Sequence, residues 1–250
     1  MKREDSNGFL EELLAGREAI IFDEDGTLID SMWIWADIDI EYVARYGKTT
    51  DRELTKKLSG LSILQTADYF RDVIGINETT EKMLSDWNEM ALDYYTHKIP
   101  LKEEAGRLLN DISSRGIPMA ICTSNTRTLA LTALEVHNIK GYFDIIITGE
   151  DVEKGKPDPF IYLEAARRLG VGPNNCLVFE DISAGALAGK RAGMEACGVF
   201  DESAAYMTAD LKAIADYYAV SFKDIYDGTL EILNPGSRLA ENLASGKSFK

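Results

Sequence analysis

Four short stretches of the 250-residue chain carry side chains able to do chemistry together. In the first, Ala19-Ile20-Ile21-Phe22-Asp23-Glu24-Asp25-Gly26-Thr27-Leu28, four apolar residues run into two aspartates spaced by one residue, with Gly26 directly behind. Residues i and i+2 of an extended chain point the same way. Two such carboxylates repel one another unless a cation or a shared proton offsets the charge, and Mg²⁺, hard and oxygen-seeking, is the natural candidate. The other stretches are Thr123-Ser124-Asn125, Gly155-Lys156-Pro157, and Glu180-Asp181 behind the apolar run Cys176-Leu177-Val178-Phe179. Each has an ordinary reading by itself. Asp-x-Asp-Gly recurs in turns, Thr123 or Ser124 would cap a helix, a lone lysine is commonly solvated, and Asp181 or Ser183 would cap the helix after a strand.

Taken as a set they suit one reaction class. A carboxylate nucleophile must reach an electrophile that repels it, a phosphate dianion. A bridging Mg²⁺ and the Lys156 ammonium offset that repulsion. Thr123, Ser124 and Asn125, with backbone N–H groups and Lys156, are the candidate phosphate-binding residues. A second carboxylate protonates the leaving oxygen and then deprotonates the water that opens the acyl phosphate. Asp23 suits the nucleophile and Asp25 the acid and base.

The elements that must position these groups follow from the pattern of the chain. Short apolar runs bounded by polar residues read as buried parallel strands, whose carboxyl ends form the ligand crevice of an open sheet. Strands are expected at 19–22, 118–122, 143–147 and 176–179, with 195–199 as the last. Helices between them span 103–115, 128–138, 159–169 and 184–192, an alternation that predicts a parallel sheet with helices on both faces. A short helix over 9–14 leads in. Residues 32–98 hold helix after helix and no strand: 31–46 ended by Gly47, 51–58, 63–74, and one capped by Thr79 or Thr80 and running to 96. Such a block between strands reads as an inserted helical domain. The expected class is thus α/β, a Rossmann-like core of residues 17–31 and 99–227 with a helical cap over 32–98. The tail from 228 to 250 is unplaced, its last residues read as disorder or a remnant of expression.

Composition narrows the partners. The chain is 45% hydrophobic with a net charge of −15, which opposes a phosphate backbone and argues against nucleic acid. No apolar run reaches the roughly 18 residues of a membrane span, and the acidic N-terminus is no secretory signal. Cys122, Cys176 and Cys197 have no metal spacing and read as buried thiols of a reducing compartment, so a cytoplasmic protein is expected. Monomer and dimer both stay open.

At this point the chain resembles the haloacid dehalogenase-like superfamily, in its branch of β-phosphoglucomutase-like phosphatases. Asp23-Glu24-Asp25-Gly26-Thr27-Leu28 resembles its first motif and Ile121-Cys122-Thr123-Ser124-Asn125 its second. Gly155-Lys156-Pro157-Asp158-Pro159 resembles the third, and Val178-Phe179-Glu180-Asp181-Ile182-Ser183-Ala184-Gly185 the fourth. The resemblance implies a Mg²⁺-dependent phosphatase of a small phosphorylated metabolite. Asp23 would accept the phosphoryl group, Asp25 would be the acid and base, Thr123 would bind a phosphoryl oxygen, and Lys156 would neutralise charge. The metal would be held by Asp23, the Asp25 backbone carbonyl and Asp181, with Glu180 a direct or water-mediated ligand. The cap would close over the substrate and set specificity.

Departures within the resemblance carry information. The family has an apolar or aromatic residue where this chain has Glu24. A third carboxylate there would weaken phosphate binding or misplace Mg²⁺, add a ligand, or point harmlessly away, so a catalytically impaired ligand-binding protein is an alternative. Asp25 disfavours dehalogenation, and phosphonate hydrolysis would need a cap lysine, for which Lys48, Lys56 and Lys57 read as a solvated face. A sugar-phosphate mutase is the other alternative. The cap histidine and arginine of the mutases are missing from Trp33-Ile34-Trp35 and from Leu58 to Ile63, which favours the phosphatase. Trp35, and Gly60 and Ser62 of the 59–62 loop, are the candidate substrate-facing residues of the cap.

Overall fold

A computed structural model describes residues 6–50, 53–58 and 63–245. Seven strands form one sheet among them: β1 (Ala19–Phe22), β2 (Met119–Cys122), β3 (Ile145–Ile147), β4 (Cys176–Glu180), β5 (Glu195–Val199), β6 (Tyr217–Ala219) and β7 (Glu231–Ile232), in the order β3-β2-β1-β4-β5-β6-β7. All pairings are parallel except the last, β6 with β7. The chain steps outward from β1 to β2 and β3, then returns to place β4 on the other side of β1. That reversal is a topological switch point, and the crevice beyond the carboxyl ends of β1 and β4 is where such sheets bind ligands.

Alternation along the strands divides the core into two layers. Ile20, Phe22, Ile121, Leu177 and Phe179 face α1 (Ser6–Leu14) and α6 (Ala105–Ser113) through Leu10, Leu13, Leu108, Leu109 and Ile112. Phe22 stacks on Phe179 at 5.0 Å between centroids, an aromatic pair worth about 0.5–1.5 kcal/mol beyond its buried area. Ile21, Cys122 and Val178 face the opposite way, onto Ile161, Tyr162, Ala165 and Ala166 of α8 (Phe160–Leu169) and Ala188 of α9 (Ser183–Arg191). α7 (Arg127–Val136), whose N-cap is Thr126, follows β2.

The sheet does not stop at β5. β6 pairs in parallel with β5, and β7 closes the edge. α10 (Thr208–Ile214) and α11 (Lys223–Asp227) flank β6, and α12 (Arg238–Ser245) follows β7. The tail from 228 is therefore built into the core as far as Ser245. Asn242 Nδ2 donates to the Glu12 carbonyl at 2.9 Å, and Leu239 is fully buried.

The chain divides into two compact units, the smaller being Ser31–Ile99. It holds α2 (Ile34–Arg45), α3 (Glu53–Leu58), α4 (Ile63–Tyr69) and α5 (Thr80–His97). α4 passes into a π-helical turn, Phe70–Ile74, where one helix over 63–74 is expected. Thr79 is the cap of α5 and accepts the Lys82 N–H at 3.2 Å. Tyr42, Phe70 and Trp87 form an aromatic centre with centroids 5.1–6.0 Å apart. Trp33 lies edge-on against Tyr94 at 5.8 Å, and Trp35 is half-buried on α2. Gly60 and Ser62, with the whole 59–62 loop, lie outside the described residues, as do the first two residues of the helix expected over 51–58.

Candidate active site

Asp23 is the first residue beyond β1, and its N–H bonds the Phe179 carbonyl of β4 at 3.0 Å. The sheet thus holds its backbone while its side chain leaves the strand end. Behind it the chain turns sharply. Gly26, at φ +77°, donates to the Ile29 carbonyl at 2.9 Å, and the Glu24 carbonyl accepts from Leu28 and Ile29 at 2.9 and 3.1 Å. The neighbouring strand ends with Glu180, and Asp181 follows it. Asp23, Glu180 and Asp181 are all buried, and each offers a carboxylate oxygen within 4.8 Å of the others.

Lys156 enters this group from the loop before α8. Its Nζ donates to Asp23 Oδ1 at 2.5 Å and to the Cys122 carbonyl at the end of β2 at 2.8 Å, and pairs with Glu180 Oε1 at 2.6 Å. Three carboxylates and one ammonium leave a local excess of negative charge out of water. Burial pushes the Asp23 carboxyl up to about 7, with Lys156 opposing and Glu180 reinforcing the rise. Asp181 is held well above the carboxylate range by burial and then by the charges of Asp23 and Glu180. Burial disfavours the charged Lys156, but the two carboxylates beside it outweigh that and raise it above the usual lysine range.

These residues fit a divalent cation. Glu180 Oε2 and Asp181 Oδ2 are buried with no hydrogen-bond partner among the described residues, while Asp181 Oδ1 accepts the Thr27 hydroxyl at 3.4 Å. An all-oxygen donor set of this kind suits Mg²⁺. Glu24 does not belong to the set. Its side chain is fully buried with neither oxygen bonded among the described residues, and burial, then Asp25 and Asp23, raise its carboxyl well above the ordinary range.

The remaining sequence-derived candidates separate by contact. Asp25 is held by Asn125, whose Nδ2 donates to Asp25 Oδ2 at 2.9 Å, and the amide oxygen of Asn125 accepts the Thr126 N–H at 2.9 Å. The Asn125 side chain thus orients Asp25. Thr123 is buried at the end of β2, its hydroxyl accepting the Asn125 N–H at 3.1 Å, and Ser124 is exposed. Sequence reasoning missed Tyr162, whose hydroxyl donates to Glu180 Oε1. It falls in an ordinary apolar helix pattern, which gives no sign of its polar contact. Gly185 was read only as part of a motif. A Cβ there would stand 2.0–2.1 Å from the Glu180 carboxylate, so the glycine makes the space that carboxylate occupies.

Fold and site together define a doubly wound α/β protein with three buried carboxylates gathered at its switch point. The haloacid dehalogenase-like hydrolase model matches residues 20–199. A Thermotoga maritima phosphorylated carbohydrates phosphatase is 32% identical over 71% of this chain and 82% of its own length. A (DL)-glycerol-3-phosphatase of Arabidopsis thaliana is 33% identical over 75% of this chain and 82% of its own. The solved structure of a candidate beta-phosphoglucomutase from Thermotoga maritima superposes with a TM-score of 0.74 at 29% identity, covering 84% of this chain and 97% of that one. The chain belongs to the haloacid dehalogenase-like hydrolase family.

Proposed function

We propose that this chain, a phosphoric monoester hydrolase, hydrolyses a small phosphorylated metabolite of the sugar or polyol kind through a phosphoryl group carried on Asp23, with Mg²⁺ as cofactor. The observation that carries the reading is Lys156 Nζ held between Asp23 Oδ1 and Glu180 Oε1 in a buried carboxylate group at the switch point. The names of relatives that act on phosphorylated carbohydrates and on glycerol 3-phosphate support the substrate class.

In this mechanism an Asp23 carboxylate oxygen bonds to phosphorus as the bond from phosphorus to the ester oxygen breaks. Asp25, oriented by Asn125, gives its proton to the departing oxygen. It then takes a proton from water, which attacks the same phosphorus and frees Asp23 and inorganic phosphate. Lys156 favours the anionic form of Asp23 against the effect of burial and offsets charge on the phosphoryl oxygens, with Thr123 and backbone N–H groups as further donors. Asp23, Asp181 and Glu180 would hold Mg²⁺, whose positive charge would reduce the repulsion between nucleophile and phosphate.

The test is release of inorganic phosphate from sugar phosphates, polyol phosphates, nucleotides and an aryl phosphate, with Mg²⁺ and with EDTA. Turnover is expected to require Mg²⁺, to be strongest on a sugar or polyol phosphate, and to fall to background in Asp23→Asn. Phosphate release untouched by EDTA or by Asp23→Asn would overturn the reading. Isomerisation of a sugar phosphate without phosphate release would replace it with a mutase.

A further inference from the structure

Glu180 stands at the end of β4 with its two oxygens in unlike surroundings. Oε1 accepts the Tyr162 hydroxyl and pairs with Lys156 Nζ at 2.6 Å. Oε2 is buried with no partner among the described residues. Tyr162 is itself fully buried on α8, with its ring centroid 5.3 Å from the Lys156 ammonium. A phenylalanine would fill nearly the same volume in this apolar layer, so packing does not call for the hydroxyl. The carboxylate occupies the space that Gly185 leaves, where a Cβ would stand 2.0–2.1 Å from it. Lys156 is shared among several groups. Its three N–H donors have three recipients, Asp23 Oδ1, the Cys122 carbonyl and Glu180 Oε1.

We propose that Tyr162 is a positioning residue for the cation site: its hydroxyl anchors Glu180 Oε1, so that Oε2 alone is presented toward the cation while Lys156 remains on Asp23. This rests on the metal-dependent reading above. Without the hydroxyl, Glu180 Oε1 is held by Lys156 Nζ alone, and the carboxylate draws that ammonium away from Asp23. Outer partners that orient a ligating carboxylate commonly change metal affinity by about 10–100-fold.

The experiment compares wild type, Tyr162→Phe and Tyr226→Phe, each stripped with EDTA. Mn²⁺ binding is followed by electron paramagnetic resonance, with Mg²⁺ as competitor, and thermal unfolding is followed in parallel. Tyr226 is the matched control, since its hydroxyl also donates to a carboxylate, Asp111 Oδ2 at 2.9 Å, away from the cation site. Tyr162→Phe is expected to weaken Mn²⁺ and Mg²⁺ binding about tenfold or more. Its half-saturating Mg²⁺ in turnover should rise to match, while substrate KM and the rate at saturating Mg²⁺ stay near wild type. Tyr226→Phe should bind Mn²⁺ as wild type does. The loss in Tyr162→Phe should also shrink in a Glu180→Gln background, because the two act through one contact. Unchanged affinity in Tyr162→Phe, an equal loss in Tyr226→Phe, or full additivity with Glu180→Gln overturns the assignment and leaves the phosphatase reading intact. Wild type that binds neither ion overturns both.

Discussion

Glu24 shows how one side chain can sit among charged residues and still take no part in their group. It is buried with both oxygens unbonded among the described residues, and it is not one of the three carboxylates that gather. A buried polar group left unsatisfied costs about 1–3 kcal/mol. Glu24→Leu is therefore expected to raise unfolding stability by roughly that amount in urea titrations of the EDTA-treated protein, and to retain Mg²⁺-dependent phosphate release. A loss of stability would mean that the carboxyl has a partner in solution. Gly185 works in the opposite sense. Alanine is about 1 kcal/mol better than glycine inside a helix, yet a Cβ at 185 would occupy the place of the Glu180 carboxylate. Gly185→Ala should keep the fold, as read by circular dichroism, while Mg²⁺-dependent turnover drops by about 10–100-fold, the range for losing a group that positions a ligand.

At the scale of elements, the adjacency of β1 and β4 does most to build the site, because it sets Asp23 beside Glu180 and Asp181. The other end of the same sheet is tied by polar contacts. Arg17, buried just before β1, bonds Glu195 at the start of β5 and the Tyr217 hydroxyl of β6 at 3.2 Å. Tyr217 in turn donates to Glu195 at 2.5 Å and accepts the Leu239 N–H at the start of α12. Arg17→Met would leave the half-buried Glu195 with the Tyr217 hydroxyl and the Arg238 N–H alone and should cost about 1.5–3 kcal/mol, the range for a lost hydrogen bond to a charged group. Burial alone would raise the Glu195 carboxyl, but Arg17, the Tyr217 hydroxyl and the Arg238 N–H outweigh it and hold it below the ordinary value of 4.5. A depressed folded pKa contributes stability above the unfolded pKa, and that stability is lost as pH falls through the folded one. The wild type should therefore lose stability below about pH 4.5 more steeply than Arg17→Met does, as followed by urea midpoints across that range.

At the scale of the molecule, each of the two units has its own apolar centre, and the carboxylate group, with oxygens unbonded among the described residues, lies in the larger one. A cation that binds only the folded state shifts the unfolding equilibrium by mass action. Mg²⁺ at a hundred times its Kd should stabilise by about 2.7 kcal/mol, read as an upward shift of the midpoint that EDTA reverses. Absence of the shift in a protein that still hydrolyses phosphate esters would place the catalytic cation elsewhere.

The sequence by itself determined much of this protein, because its signals there are local. Apolar runs ending in polar or charged residues marked β1, β2 and β4, and the alternation of helix and strand gave a parallel sheet, so Asp23, Lys156, Glu180 and Asp181 were legible as members of one site. Where the signal is not local, the sequence was silent. β6 has three residues and β7 two, too short for any periodicity. The tail is held by scattered contacts, among them the buried Asp216 carboxylate, which accepts from Lys190, the Ala196 N–H and Asn234. Only the tertiary structure decided that Tyr162 reaches Glu180, that Asn125 orients Asp25, and that Glu24 is buried apart from the carboxylates beside it. Side-chain type and spacing say which groups arrive at a strand end. Which oxygen each donor takes depends on elements far apart in the chain, and is fixed only when they pack.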